Sequence, residues 1–587
     1  MPFERGTGDP GTAAALEIGR REAATRRLRA VLIVAGAAVL LPALAVPTSA
    51  GARSQPRAGS TSVPSNHRIN PTPAEPAAPY TDNFTRNFRL DPTIARDPVS
   101  GAYIAGSMDY RDEQQCIQTG TGTLGTTQYT SGYCQPSWWH TGIAGVYLSQ
   151  DAAHWTQLAA HDGATSDSGA SCTAASHTLP GYCAAGLVPG YDGEVAFGPK
   201  PAASGTGFGW GQGARAYYAN LPLQLHSGIP NPAVAVSRSD DDGSHWMAPV
   251  VLPGTTPRSV VNDKEAIWVD ANSSSPCFGD AYLAWDLSVD NGNSYQVAFS
   301  RSVDGGSTWS SWITLLPAAT ALDPGPAIQS LPDGTVVVSY EDAVSAVPYM
   351  KDSVLTGCGQ VAGQPVTIAT FGNTPAVFPG SLFPVWDFPS TASDSAGRLY
   401  MTWVDWTGAN QSVVRFSKSS DGGQTWSAPV GVSSGAGNAA LPAIGVTPDG
   451  ATTFIEFQSE TVQSQTPGAG SALIQALYAR SADGGQTWTQ QALSPGGADA
   501  DGTASPQLNL QRIGDYTAVV VTTVNGVPSA VPVWTDVRNS VPCPLVDAYR
   551  SALRNGQSAA RPDPDVNQQC PVGFGRTDIY DAVVPLN

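Results

Sequence analysis

The sequence predicts an all-β fold, a β-propeller of four-stranded blades, and three observations support that prediction. The phrase Ser-x-Asp-x-Gly-x-x-Trp occurs four times, at 239–246, 302–309, 419–426 and 481–488. The first residues of successive copies are 63, 117 and 62 positions apart, so the middle interval should hold two units. Short strand-like stretches recur between turns, and helical periodicity is almost absent. We expect seven blades, or six if one pair of modules merges.

Each phrase is predicted to form the tip of a β-hairpin. Glycine supplies positive φ at low steric cost, the Ser and Asp side chains can bond the turn backbone, and Trp adds an apolar plug. A decayed fifth copy is visible at Ser149, Asp151 and Trp155. The modules are expected at about 92–160, 194–252, 265–316, 326–370, 389–430, 441–494 and 505–587.

The N-terminal region is expected to lie outside the fold. Five arginines at 20–29 precede an apolar run at 30–46 and then small residues, which is typical of a secretion signal. We predict a signal peptide at 1–50, with an N-terminal membrane anchor as the alternative because the run is nearly long enough to span a bilayer. Residues 51–79, rich in Ser, Pro and Ala, are predicted to be a disordered linker, and residues 80–587 to form the propeller.

The eight cysteines are an even number, and an exported protein meets an oxidising compartment, so disulfides are expected. Spacing favours one of several possible connectivities: Cys116 with Cys134, Cys172 with Cys183, Cys277 with Cys358, and Cys543 with Cys570. Structural zinc is not expected, because neither Cys-x-x-Cys nor His-x-x-x-His occurs. The net charge of −18 argues against nucleic acid and anionic membranes as partners.

The repeated phrase is the Asp box, and the chain resembles the sialidase-type, or BNR-repeat, propellers over about residues 85–587. In that family the boxes lie at the hairpin between the third and fourth strands, on the face opposite the substrate. The resemblance implies a secreted, exo-sialidase-like glycoside hydrolase acting on extracellular glycans, or alternatively a non-catalytic propeller that binds carbohydrate or protein. The expected partner is an extracellular carbohydrate or glycoprotein. A monomer is expected, with no membrane contact beyond the signal segment.

Strand alternation locates the face opposite the boxes. Second strands should end there and first strands should begin there, around the central channel. Aromatic rings can stack on sugars and carboxylates can bond hydroxyl groups, so aromatic and acidic residues at these strand ends are the predicted substrate-binding set. Its members are Trp285, Asp286, Trp386, Asp387, Trp403, Asp405, Trp534 and Asp536. The alternative for each position is that the aromatic-x-Asp pair simply closes its blade.

The resemblance also implies catalytic residues. The family grips a sialate carboxylate with three arginines, and residues 88–92 are the nearest match to the first arginine motif, with one residue inserted. The implied clamp is Arg89, Arg111 and Arg538, with Asp109 as the acid. The implied nucleophile pair is Tyr516 or Tyr580 with Glu194 or Glu265. The sialidase assignment requires the three guanidinium groups to point into one pocket.

The charge of this face favours a neutral glycan over sialate. Asp91, Asp192 and Asp263 would add to the glutamates and Asp387 in repelling an anionic sugar. No cofactor is expected. Calcium is the cation that such oxygens could collect, although no dedicated loop is recognisable.

Overall fold

The computed structural model describes residues 63–71, 87–111, 121–124, 127–130 and 142–587, with short gaps in the last range. The gaps are 164–173, 203–206, 225–232, 258–259, 291, 317–319, 321–322, 344–347, 362, 373–374, 409–410, 436, 463–471, 505–507 and 563–569. The predicted signal peptide and Cys116, Cys134 and Cys172 lie outside the described residues. Within the described residues, no helix is both long enough and apolar enough to cross a bilayer.

The chain begins with β1 (Asn66–Arg68), which is the outermost strand of the last blade. Blade 1 consists of β2 (Arg89–Arg96), β3 (Tyr103–Asp109), β6 (Ala144–Ser149) and β7 (Trp155–Gln157). Two hairpins accompany it: β4 (Thr121–Leu124) with β5 (Thr127–Thr130), and β8 (His161–Gly163) with β9 (Ala174–Ser176). Blade 2 consists of β10 (Leu187–Pro199), β11 (Ala214–Gln224), β12 (Ala235–Ser239) and β13 (Val250–Val251). Blade 3 consists of β14 (Val261–Val269), β15 (Ala281–Ser288), β16 (Gln296–Ser302) and β17 (Ile313–Thr314).

Blade 4 consists of β18 (Ala327–Ser330), β19 (Val336–Asp342) and β20 (Tyr349–Thr356), with β21 (Gln360–Val361) and β22 (Val366–Thr370) both paired to β20. Blade 5 consists of β23 (Ser390–Ser393), β24 (Leu399–Trp406), β25 (Ser412–Ser419) and β26 (Val430–Gly431). Blade 6 consists of β27 (Asn438–Val446), β28 (Thr453–Val462), β29 (Ala472–Ser481), β30 (Thr489–Ala492) and β31 (Ala498–Asp499). Blade 7 consists of β32 (Ala518–Val524), β33 (Val527–Asp536), β34 (Asp578–Ala582), β35 (Val584–Pro585) and β1, with helix α1 (Pro544–Arg554) between β33 and β34. The all-β, seven-bladed prediction is confirmed.

The apolar core lies between the faces of neighbouring blades. Trp285 and Leu283 of blade 3 cluster with Tyr217 and Val236 of blade 2, and the other buried clusters likewise join adjacent blades or the ends of one blade. This packing explains why second strands such as β15 are buried along their whole length instead of alternating. Each blade therefore needs two neighbours, and the ring must close.

The N-terminal strand closes the ring and corrects the predicted linker boundary. β1 pairs antiparallel with β34, Asn66 opposite Ala582 and Arg68 opposite Tyr580. The Asn66 side chain also donates to the carbonyl of Leu493, 2.9 Å away. Residues 66–68 thus belong to the propeller although they fall in the predicted 51–79 linker. Three residues are too few to show the alternation that marks a strand in sequence.

The four Ser-x-Asp-x-Gly-x-x-Trp phrases lie between the third and fourth strands of blades 2, 3, 5 and 6. In each, the serine hydroxyl donates to the aspartate at 2.8–2.9 Å and accepts the glycine N–H at 2.8–3.0 Å. The decayed copy keeps this pattern, with Ala152 at φ 56° donating its N–H to Ser149. These turns are therefore stabilised locally by their own side chains.

One more copy of the repeated phrase was not recognised in the sequence, because tyrosine stands where the other copies have tryptophan. Ser288 donates to Asp290 at 2.7 Å and accepts the N–H of Gly292 at 2.8 Å, and Tyr295 occupies the last position. This turn joins β15 to β16, the second and third strands of blade 3, so it lies at the end opposite the other copies. The phrase encodes a turn, and the turn can occur on either face.

Two of the predicted disulfides are confirmed, Cys277 with Cys358 and Cys543 with Cys570. The first joins the β14–β15 connection of blade 3 to the turn after β20 of blade 4. Cys183 is also disulfide-bonded. The remaining predicted pair lies outside the described residues.

Candidate functional site in the central channel

The first strands of all seven blades surround a cavity of about 510 Å³ on the propeller axis. Acidic and aromatic side chains line the end at which these strands begin. They include Asp91, Asp192, Glu194, Glu265, Trp386, Asp515 and Tyr516. This is the end at which the sequence analysis placed the site, and the four box hairpins lie at the other.

The strands entering the cavity share a backbone irregularity. Asp91, Asp192, Lys264 and Leu441 all have left-handed φ, between 45° and 54°. The pairing of first and second strands shifts register at the same points in blades 1, 2, 3 and 6. Such bulges redirect side chains, and a left-handed non-glycine residue costs roughly 1–3 kcal/mol. The channel mouth is therefore built from strained backbone.

Lys264 is the centre of a buried ion-pair network. Its Nζ lies 2.8 Å from Asp515, 3.4 Å from Asp192 and 3.7 Å from Asp263. Asp515 is also 3.2 Å from Arg512, and its backbone N–H donates to Asp91. Burial opposes the charge of Asp515, but Arg512 and Lys264 lower its pKa, so it stays ionised.

Three aromatic rings complete the surroundings of the Lys264 ammonium group. Its Nζ lies 5.5 Å from the ring centre of Trp386, 5.7 Å from that of Phe388 and 5.3 Å from that of Tyr516. The rings stack in series, Trp386 on Phe388 and Phe388 on Tyr516. Such contacts stabilise a desolvated cation by about 2 kcal/mol. Trp386 and Tyr516, predicted for substrate and catalysis, thus both reach the cavity.

Glu194 and Glu265 are the other predicted catalytic residues that reach the cavity, and they are neighbours. Neither carboxyl oxygen of Glu265 has a hydrogen-bonding side chain among the described residues. Burial raises the pKa of Glu194 to about 8. Burial, followed by repulsion from Asp192, Asp263 and Glu194, raises the pKa of Glu265 well above its usual range. Both carboxyl groups lie at the cavity wall, and their raised pKa values favour the protonated forms at neutral pH.

The predicted arginine clamp is not formed. Arg89 lies 3.1 Å and Arg111 2.5 Å from Asp109, which also accepts a hydrogen bond of 2.7 Å from Tyr147. Although burial alone would raise it, the two arginines hold the pKa of Asp109 well below its usual range, so Asp109 stays ionised. The prediction was wrong because these side chains satisfy one another inside blade 1.

Arg538 faces a different blade. It donates to Asp536 at 2.6 Å and to Asn66 of β1 at 2.8 Å, and its guanidinium lies 4.1 Å from the ring centre of Tyr580. Tyr580 is therefore part of the blade 7 closure. Tyr516 has no hydrogen-bonding partner for its hydroxyl among the described residues, and burial raises its pKa well above its usual range. Among the described residues, no hydrogen bond joins the Tyr516 hydroxyl to Glu194 or Glu265, the glutamates predicted as its partners.

Most of the predicted substrate-binding residues instead form hydrogen bonds or apolar contacts that hold their blades together. Trp285 donates to Asn262, Trp534 donates to Asp536, and Trp403 is buried in the apolar core. The aspartates bind the chain connections between blades: Asp286 accepts the N–H of Gly325 at 3.0 Å, and Asp405 accepts that of Gly372 at 2.9 Å. Asp387 is buried and does not line the cavity. The alternative that aromatic-x-Asp pairs are structural is correct, except at Trp386.

The ion-pair network around Lys264 also affects the charge of the channel mouth and the space available for a calcium ion. Burial raises the pKa values of Glu194 and Asp91 to about 8 and that of Glu265 well above its usual range, which favours the protonated forms at neutral pH. The mouth therefore carries less negative charge than its sequence indicates, and repulsion of an anionic sugar is weaker than predicted. Lys264 occupies the centre of the carboxylates, where a calcium ion would need to bind. Elsewhere in the described residues, Cys277, Asp280 and Cys358 form a ligand-type cluster, but its cysteines are disulfide-bonded.

The sequence analysis missed Lys264, Arg512 and the partner role of Asp515. One signal was available: the chain has only four lysines, and Lys264 lies between two acids at the start of a strand. No sequence pattern pairs Lys264 with Asp515, because 251 residues separate them.

Three solved structures that are similar to this chain are described by their own activities. The α-L-arabinanase of Penicillium chrysogenum, solved with arabinobiose, is 13% identical, with a TM-score of 0.40, over 68% of this chain and 94% of that chain. The Hadza microbial sialidase Hz136 is 14% identical, with a TM-score of 0.36, over 81% of each chain. An α-L-arabinofuranosidase of Fusarium graminearum is 11% identical, with a TM-score of 0.37, over 70% of this chain and 97% of that chain. These likenesses concern the fold alone.

No protein-family model and no curated protein matches the sequence.

Proposed function

We propose that the chain is a secreted glycoside hydrolase of sialidase-like, Asp-box architecture that acts on an extracellular glycan in the central channel. The observation that carries the proposal is the pair Glu194 and Glu265. Both line the cavity, the charge of Glu194 contributes to the raised pKa of Glu265, and neither glutamate forms an ion pair with another described residue. Paired carboxyl groups are the usual equipment for cleaving a glycosidic bond. The disulfides support an oxidising compartment.

The chemistry requires the two glutamates to hold different protonation states. Two adjacent buried carboxyl groups cannot easily both ionise, so the pair loses its first proton more readily than its second. The protonated member donates its proton to the glycosidic oxygen as the carbon–oxygen bond breaks. The ionised member takes a proton from the water whose oxygen bonds the anomeric carbon. One water is consumed, two hydroxyl groups are formed, and proton transfer back through solvent restores the pair.

A neutral sugar unit suits this site better than sialate. The three arginines predicted to hold a sialate carboxylate are occupied by Asp109 and Asp536. The cations at the mouth, Lys264 and Arg512, are both within ion-pair distance of Asp515. A carboxylated sugar would have to compete with these partners for its own ion pairs.

The alternative is a non-catalytic propeller that binds a glycan. One observation favours it: the rings that could stack on a sugar surround the Lys264 ammonium instead. A binding protein needs the cavity but no proton transfer from Glu194 or Glu265.

Hydrolysis of a panel of fluorogenic glycosides tests the proposal. The panel holds neutral pentosides and hexosides, uronides and an α-sialoside, assayed with wild type, Glu194→Gln and Glu265→Gln. Asp333→Asn serves as the matched control, because Asp333 lies in an exposed turn of blade 4 outside the cavity. Release of fluorophore by wild type and control but neither glutamine variant supports the hydrolase. Glycan binding without turnover in all four proteins would establish the alternative.

A further inference from the structure

Each of the two channel glutamates follows a left-handed residue. Glu265 comes directly after Lys264, at φ 52°, and Glu194 comes two residues after Asp192, at φ 45°. The register of β14 against β15 shifts between Asp263 and Ala266, and that of β10 against β11 shifts between Tyr191 and Glu194. The direction in which both glutamates project therefore depends on two strained bulges.

A single ammonium group joins these bulges. The Nζ of Lys264 lies 3.4 Å from Asp192, so the ion pair connects the two left-handed residues themselves. The same Nζ lies 2.8 Å from Asp515, which follows Gly514 at φ 98° in the segment leading into β32. The N–H of Asp515 in turn donates to Asp91, the left-handed residue of blade 1. One lysine thus braces the starts of four first strands.

The ammonium group has little freedom in this position. Its side chain is 6% exposed, and the rings of Trp386, Phe388 and Tyr516 surround it. The other charged or titratable groups around it are Asp263 and Glu265 beside it, Glu194 on β10 and Arg512 behind Asp515. Because its surroundings hold the ammonium group in place, its ion pairs can keep the left-handed residues in a strained conformation that would otherwise relax.

We propose that Lys264 is the positioning residue of the channel site, whose ion pairs with Asp192 and Asp515 hold the bulges that aim Glu194 and Glu265 into the cavity. The inference rests on the proposed function in taking these glutamates as the reacting groups. Lys264 does not donate or accept a proton in the reaction. It acts through the backbone geometry of β10 and β14.

The kinetic test uses the glycoside that wild type hydrolyses best. Lys264→Met keeps the packed stem and removes the charge, and we expect kcat to fall at least about 100-fold with KM changed less than about threefold, because misplaced reacting groups lower kcat. Lys264→Arg keeps a cation, and its kcat should be at least about tenfold higher than that of Lys264→Met. Lys351→Met is the matched control: it breaks a comparable pair, 2.5 Å from Asp342, outside the cavity.

A compensated variant separates positioning from stability. Lys264→Met alone removes the cation beside Asp192 and leaves Asp515 paired with Arg512 alone, so the double variant Lys264→Met/Asp515→Asn is included to lower the buried negative charge and restore folding. A double variant with a restored melting temperature and low kcat supports the proposal. Recovery of kcat together with the melting temperature would show a structural role only and overturn it.

Hydrogen–deuterium exchange gives a readout that needs no substrate. Peptides covering 187–199 and 261–269 should exchange at least about tenfold faster in the folded double variant than in wild type or Lys351→Met, because released bulges open more often. Unchanged exchange in these peptides overturns the brace. If no glycoside is hydrolysed, the proposed function fails while this experiment still decides the role of Lys264.

Discussion

Asp109 and Glu265 are both buried carboxyl groups on the inner two strands of their blades, and they have opposite surroundings. Asp109 has Arg89, Arg111 and Tyr147 as partners, and its pKa is held low. Glu265 has no hydrogen-bonding side chain in the part of the chain that the structure describes, and burial and neighbouring acids raise its pKa. A fully partnered group stabilises the fold, whereas a buried group without partners is free to act on a ligand. Residue type alone cannot make this distinction.

The largest effect should come from removing the unpartnered carboxyl group. Glu265→Gln is expected to lower kcat at least about 1000-fold, about 4 kcal/mol of transition-state stabilisation, since glutamine cannot transfer the proton. The melting temperature should stay the same or rise, because the change removes a buried titratable group. Steady-state kinetics and calorimetry measure both quantities. Retained activity would place the chemistry elsewhere in the channel.

Removing the partnered carboxyl group should give the converse result. Asp109→Asn leaves the Arg89 guanidinium buried and unpaired, so the free energy of unfolding should fall by about 3–5 kcal/mol. The kcat of the folded fraction should change less than about twofold, since Asp109 does not line the cavity. Urea unfolding followed by tryptophan fluorescence supplies the measurement. A large loss of kcat at unchanged stability would restore Asp109 as a catalytic candidate.

Glu194, the other channel glutamate, and Asp109 should also respond oppositely to pH. Glu194 has a folded pKa of about 8, above its unfolded value, so the folded state holds its proton longer and stability falls as pH rises from about 4.5 to 8. The pKa of Asp109 is lowered on folding, so its contribution is present above about pH 4 and is lost as pH falls below that. Melting temperatures between pH 3 and 9 should show both limbs. Glu194→Gln should reduce the fall in melting temperature at alkaline pH and leave the fall at acid pH unchanged. An unchanged fall at alkaline pH would argue against a raised pKa for Glu194.

The smallest effect is expected at the repeated turns. Asp421→Ala removes a carboxylate that accepts the Thr425 hydroxyl and N–H and the Ser419 hydroxyl, so the free energy of unfolding should fall by roughly 1 kcal/mol. Asp290→Ala, in the copy at the other face, should cost a similar amount. Neither change should alter kcat. A selective loss of activity in Asp290→Ala would give the turn between β15 and β16 a part in substrate binding.

The sequence could predict those parts of the site that depend on local position along a strand. It could not predict which side chains form ion pairs with one another. Trp386 was predicted from its place at a strand end beside the channel, and Glu194, Glu265 and Tyr516 were predicted for the nucleophile pair that the resemblance implies. All four reach the cavity. The arginine clamp was transferred from a family pattern with an imperfect match and failed. Its guanidinium groups had nearer carboxylates within their own blades, and a pattern of letters does not record that competition.

The sequence by itself determined the repeat and the turn chemistry, because both depend on local spacing and on backbone preferences of a few residues. It favoured, without deciding, the seven blades and the two disulfide pairs that the structure shows. Only the tertiary structure decided which acids are bound and which are free. Asp91 and Asp515 are 424 residues apart, and Lys264 and Asp515 are 251 apart. They meet only when the blades assemble around the channel, and electrostatic energies at such contacts depend on distances and burial that no single strand determines.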